Sequence, residues 1–170
     1  MTTVLHSARL IDEGRSTDDA WVAFDDGVVS ASGTGDGWQD RQASEVVDVA
    51  GGLLTPGFID IHGHGGAGGS FDDGPQAIAA ARAVHLRHGT TRAVLSLVTA
   101  SIDALVERVA IIADLAAADD TILGSHLEGP FLDAAHKGAH SEHLLVPAYA
   151  AGIDRLIDAV RGLTTSGSRW

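Results

Sequence analysis

The feature that most constrains this chain is an alternation that begins near Leu53. Three apolar runs, residues 58–64, 91–98 and 121–128, alternate with stretches whose apolar residues recur at helical spacing. Strands joined through helices return parallel to one another, so the pattern predicts βαβ units. Asp73 and Pro75 supply a helix start, residues 77–88 read as helical, and Gly89 closes them. Ser101 can cap a second helix, in which Ile102, Leu105, Val106, Val109 and Ile112 recur at helical spacing. Residues 149–160 form a further amphipathic stretch.

The preceding segment, residues 1–55, has a different texture. Residues 4–11 are apolar-rich, and Trp21-Val22-Ala23-Phe24 runs into a hairpin turn at Asp25-Asp26-Gly27. Val28-Val29 follows, then a Gly/Ser/Asp-rich loop over 32–40, then Val46-Val47-Asp48-Val49. This reads as a small β module without catalytic residues.

At 170 residues and 45% hydrophobic, the chain can bury a real core. Its 11 basic and 23 acidic residues give a net charge of −12, with no basic run. Nucleic acid and anionic membranes are therefore not expected partners. There is no cysteine, so any metal must be held by His, Asp or Glu. No apolar run approaches the roughly 18 residues of a membrane span, and Met1-Thr2-Thr3-Val4 lacks signal-peptide character. The expectation is a soluble, cytoplasmic protein.

The chemistry concentrates at strand ends. In Phe58-Ile59-Asp60-Ile61-His62-Gly63-His64, period-two alternation puts Asp60, His62 and His64 on one face and Ile59 and Ile61 on the other. In the run 121–128, His126 and Glu128 share a face, and Gly129-Pro130 stops the strand. Neighbouring strand ends converge in a parallel barrel, which brings Glu128 towards His62 and His64. Two imidazoles and a carboxylate suit Zn²⁺, Fe²⁺, Mn²⁺ or Co²⁺. Such an ion activates water and polarises a carbonyl, which is hydrolytic chemistry.

Other polar residues receive plainer readings. His126 is expected to pack or hydrogen-bond rather than ligate, and Asp60 to take a buried hydrogen-bonding role at the barrel base. His85 and His88 are expected on a helix surface. His136, His140 and His143 have helical spacings, but Gly138 interrupts them and 137–140 reads as a loop. The glycines at 65, 66, 68 and 69 are expected to form a tight loop.

Together, PGFIDIHGHGGAGG and HLEGPF with the downstream KGAH resemble the amidohydrolase superfamily, and within it the N-acetylglucosamine-6-phosphate deacetylases, over residues 4–162. The resemblance implies an α/β fold: a partial (β/α)₈ amidohydrolase barrel of about three to four βα units, preceded by a small N-terminal β-sandwich segment. The implied division is 1–55 sandwich segment, 56–161 N-terminal part of the barrel, and 162–170 an irregular, divergent tail. It also implies a divalent metal held by His62, His64 and Glu128, and substrate contacts at Ala139 and His140. The expected partner is a small sugar phosphate, hydrolysed to glucosamine 6-phosphate and acetate, and members of the family are homo-oligomers. The family's later histidine ligands and its acid/base aspartate have no counterpart in this sequence. A whole barrel takes about 250 residues, and 115 follow position 55. The expectation is therefore a truncated deacetylase, with a non-catalytic, metal-binding or self-associating half-barrel as the alternative.

Overall fold

The computed structural model describes residues 1–161, so the expected irregular tail at 162–170 lies outside the described residues. The fold is mixed α/β. It separates into two compact units, Met1–Pro56 and Gly57–Trp170.

The first unit is a sheet of five strands: β1 (Thr2–Asp12), β2 (Arg15–Asp25), β3 (Val28–Thr34), β4 (Glu45–Asp48) and β5 (Leu53–Leu54). Strands β3, β2, β1 and β4 lie side by side in that order, and β5 also pairs with β1. β1 to β3 form an antiparallel meander, while β4 and β5 run parallel to β1. Asp26 and Gly27 join β2 to β3 with φ of 49° and 82°. Two successive positive φ angles give the tight turn whose twist matches paired strands. The loop expected over 32–40 is corrected. Ser32, Gly33 and Thr34 continue β3, paired with Val22, Trp21 and Ala20, and Gly35–Asp40 forms a 3₁₀ turn. Composition hid this strand end, because its pairing is supplied by β2 rather than by its own apolar alternation. Val4, Trp21 and Ala23 form the local core, with Ala31, Trp38 and Ala43 packed against them.

The second unit begins with β6 (Phe58–Gly63), followed by a glycine hairpin of β7 (Gly65–Gly66) and β8 (Gly69–Ser70). α1 (Pro75–Arg87), β9 (Thr90–Val98), α2 (Ile102–Ala118), β10 (Ile122–Glu128) and α3 (Ala150–Arg161) complete it. The strands form a parallel sheet in the order β10-β9-β6. Ala93, Leu95, Ser96 and Leu97 of central β9 are buried, as expected where parallel strands are covered by helices. Ile78 of α1 and Leu105, Val109 and Ile112 of α2 join the same core with Phe71.

Local signals account for the helix starts. Ser101 accepts a hydrogen bond from the Ala104 amide and caps α2. Pro75 occupies the first turn of α1. Asp73 has a different job from the one expected. The α1 N-cap is Gly74, without a side-chain bond, while Asp73 closes a capping box with Ser70 around the 3₁₀ turn Phe71–Asp73. No described helix is long and apolar enough to cross a membrane.

Candidate metal centre

Parallel pairing brings the C-terminal ends of β6, β9 and β10 to one end of the sheet. Just past or at those ends stand His64, Thr99 and Glu128. His62 Nε2 and His64 Nε2 are 3.3 Å apart, and Glu128 Oε2 lies 2.9 Å from His64 Nε2 and 3.9 Å from His62 Nε2. The three ligand atoms all fall within 4.8 Å of one another. A tetrahedral ion with bonds of about 2.1 Å separates its ligands by roughly 3.4 Å. The observed separations bracket that value, so the donor set fits a small divalent cation.

The residues around this cluster hold it in shape. His64 lies one residue beyond β6, and the register slips between Asp60 and Gly63. Asp60 accepts a 3.0 Å hydrogen bond from the His62 amide, an Asx-type turn within the strand end. Asp60 is half-buried and serves the local backbone, not a fully buried position as expected. The His126 ring stands edge-on to His62 at 4.9 Å, and its Nδ1 lies 3.1 Å from Oγ of the buried Ser96. His126 therefore packs beside the ligands without joining them.

The loop after β10 adds a second wall. His140 Nδ1 is 2.8 Å from Thr99 Oγ1, and its Nε2 is 3.9 Å from Glu128 Oε1. The two carboxylate oxygens of Glu128 thus face different neighbours. An open cavity of about 680 Å³ is lined by His64, Thr99, Glu128, Lys137, Ala139 and His140, among others. His136, which also lines it, is exposed and sits 3.6 Å from Asp133. His143 belongs to a separate 3₁₀ turn, Glu142–Leu144, and lines a different cavity with Tyr149 and Arg155. The three histidines share no helix.

One surface expectation fails. His85 is half-buried, with Nε2 3.1 Å from the Gly65 carbonyl oxygen and its ring edge-on to Phe71. The glycine hairpin packs on α1, a contact that helical position alone does not reveal. His88 is exposed and ends α1. Sequence reasoning passed over Thr99, although its position directly after the apolar run 91–98 puts it at the same sheet end.

No family model matches the chain. Among solved structures, an N-acetyl-D-glucosamine-6-phosphate deacetylase mutant from Mycobacterium smegmatis, in complex with N-acetyl-D-glucosamine 6-phosphate, is 33% identical. It superposes with a TM-score of 0.82 over 95% of this chain and 42% of its own. The Pasteurella multocida deacetylase gives a TM-score of 0.85 at 21% identity over 94% of this chain and 42% of its own, a likeness of fold alone. The fold is thus that of the amidohydrolase-family deacetylases. Among curated relatives, the N-acetylgalactosamine-6-phosphate deacetylase of Escherichia coli O157:H7 is 33% identical over 161 residues, or 92% of this chain and 41% of its own length. The N-acetylglucosamine-6-phosphate deacetylase of Caenorhabditis elegans is 29% identical over 75% of this chain and 33% of its own. The chain is a relative of the N-acetylglucosamine-6-phosphate deacetylases and spans about two fifths or less of the length of these curated relatives.

Proposed function

We propose that this chain carries the His-x-His and glutamate part of a divalent-metal site that hydrolyses the acetamide of N-acetylglucosamine 6-phosphate. The single observation behind this reading is the convergence of His62 Nε2, His64 Nε2 and Glu128 Oε2 on one small volume. In the same reading, residues 56–161 are part of a (β/α)₈ barrel and residues 1–55 part of a β-sandwich. A bound Zn²⁺, Fe²⁺, Mn²⁺ or Co²⁺ supplies Lewis acidity for the acetyl carbonyl and a water made acidic near neutral pH. His62, His64 and Glu128 hold that ion, while His126 packs against the His62 ring. Ala139 and His140 line the cavity and contact the sugar phosphate. The reaction consumes water, breaks the amide C–N bond, and leaves acetate with glucosamine 6-phosphate.

A second reading keeps the metal site and drops the turnover. Among the described residues that line the cavity Glu128 is the one carboxylate, and in this reading it is taken up by the metal. Proton transfer by a separate acid/base contributes about 10²- to 10⁴-fold.

One experiment separates the two. The chain is produced in a host lacking its own deacetylase, and acetate release from N-acetylglucosamine 6-phosphate is measured with added Zn²⁺, Mn²⁺ or Co²⁺. Metal retained after dialysis is measured by mass spectrometry, and Glu128→Gln is run in parallel. Acetate release that disappears in the variant supports the hydrolase. Metal retained by the parent and lost by the variant, without acetate, supports the metal-binding reading. A parent chain that retains no metal sinks both.

A further inference from the structure

We propose that Asp72 is a positioning residue that holds the backbone of His64 in place beside Glu128. His64 stands one residue past β6, and the last β6–β9 pair is Gly63 with Leu95, so the ladder stops before it. The His64 carbonyl oxygen instead accepts from the Phe71 amide at 2.9 Å, at the start of the 3₁₀ turn Phe71–Asp73. Where that turn sits therefore decides where His64 sits.

Asp72 docks the turn. Its side chain is 8% exposed, and its two oxygens face different elements. Oδ1 accepts from Nη1 of Arg108, in α2, at 2.8 Å. Oδ2 accepts from the amide of Val98, at the end of β9, at 3.4 Å and lies 3.0 Å from Ser70 Oγ. Ser70 Oγ is also 3.2 Å from the His64 carbonyl oxygen, so its single proton lies between the carboxylate and the backbone of His64. Val98 in turn pairs with Glu128. One carboxylate thus bridges the segment that carries His64 and the strand that sets the register of Glu128.

The turn does not need this carboxylate in order to form. Ser70 and Asp73 already close its capping box, and Phe71 is buried in the core. An ion pair taken out of water adds little stability, because desolvation offsets the attraction. What Asp72 supplies is position, since donors from β8, β9 and α2 converge on one group. The consequence for a metal rests on the function proposed above. Groups that orient metal ligands from outside are worth about 10- to 100-fold in affinity. Asp72 acts on the His64 backbone and not on its ring, which places its effect at the lower end.

The test is Co²⁺ titration of the full chain, followed by visible absorption, with the urea midpoint and amide hydrogen exchange measured alongside. Absorption that Glu128→Gln abolishes identifies the site. Asp72→Ala is expected to weaken Co²⁺ binding about tenfold. Asp72→Asn, which keeps an oxygen and loses the charge, weakens it by a smaller but measurable factor. In both, the Phe71 amide exchanges faster while the amides of Leu95 and Leu97 keep their protection. A lower urea midpoint with unchanged Co²⁺ affinity in the folded variant would make Asp72 merely structural and overturn the inference. Unchanged exchange at Phe71 overturns it whether or not Co²⁺ binds. If the alanine variant does not fold, the asparagine variant decides by the same two readings. A parent chain without the Glu128-dependent absorption counts against the metal reading and not against Asp72, which the Phe71 amide then judges alone.

Discussion

The β unit builds its sheet from the 11-residue strands β1 and β2 yet gathers only Val4, Trp21 and Ala23 into a buried cluster. The parallel sheet of the α/β unit uses strands of six to nine residues and buries the middle of one, β9, completely at Leu95 and Leu97. Val28, Val29, Val46 and Val47 remain exposed in the first, where strand pairing does more of the holding than burial. In the second, helices α1 and α2 pack on the central strand β9, while Ile59 and Ile61 of the edge strand β6 stay exposed. Chemistry follows the better-packed unit. The one cluster of three metal-capable groups among the described residues stands on the ends of β6 and β10, to either side of β9.

The sharpest way to break this comparison is to empty the β9 core. Leu95→Ala removes a fully buried side chain and is expected to cost about 3 kcal/mol, in the range for such truncations. Amide hydrogen exchange should show protection falling across residues 57–161 and holding in β1 to β3. A parallel loss in both units would mean that they do not differ in the way argued. The reverse experiment is Gly33→Ala. A Cβ at residue 33 would sit 2.7 Å from Cζ2 of the buried Trp21 indole. Overpacking of this kind costs about 2 kcal/mol. It should loosen β2 and β3 and leave metal retention at His62, His64 and Glu128 unchanged.

How much of this was legible before folding follows from the range of each interaction. The shared face of His62 and His64 depends on two-residue alternation, and the α2 cap on a serine three residues from its donor. Both were readable because both are local. Glu128 was readable only with the added premise that parallel strand ends meet. His85 was misread because its partner, the Gly65 carbonyl, is 20 residues away. Thr99 was missed for the same reason, since its partners Glu128 and His140 lie 29 and 41 residues on. The end of β3 escaped because Ser32 and Gly33 carry no strand signal apart from the β2 edge they pair with. Asp73 was placed at a helix start by a correct rule but serves the turn just before it.

A smaller effect tests whether local caps matter within the well-packed unit. Ser101→Ala removes the acceptor of the Ala104 amide and should lower stability by about 1 kcal/mol. Restoration by Ser101→Asp, read from the urea midpoint, would assign that loss to the cap. An unchanged midpoint in the alanine variant would show that burial of Ile102 and Leu105 alone holds the first turn.

The smallest expected effect is electrostatic and has a definite sign. The Asp119 carboxyl is held below its ordinary value of 3.8, first by the Thr121 hydroxyl and then by the Thr121 amide, which donates at 2.9 Å. These bonds close the turn between α2 and β10. Asp25 and Asp48 of the β unit are lowered in the same direction, Asp25 chiefly by the Thr2 hydroxyl and Asp48 chiefly by the Ala50 amide. A carboxylate lowered by folding stabilises the native state above its unfolded value, and that contribution disappears as pH falls through the lower folded value. The urea midpoint of Asp119→Ala should therefore lie below the parent's at neutral pH. The gap should begin to close near pH 3.8 and continue to close on further acidification. Asp48→Ala should show the same course. A gap that stays constant with pH would mean that these aspartates act through shape rather than charge. A gap that closes for one and persists for the other would show that the two units differ in their polar turns as well as in their cores.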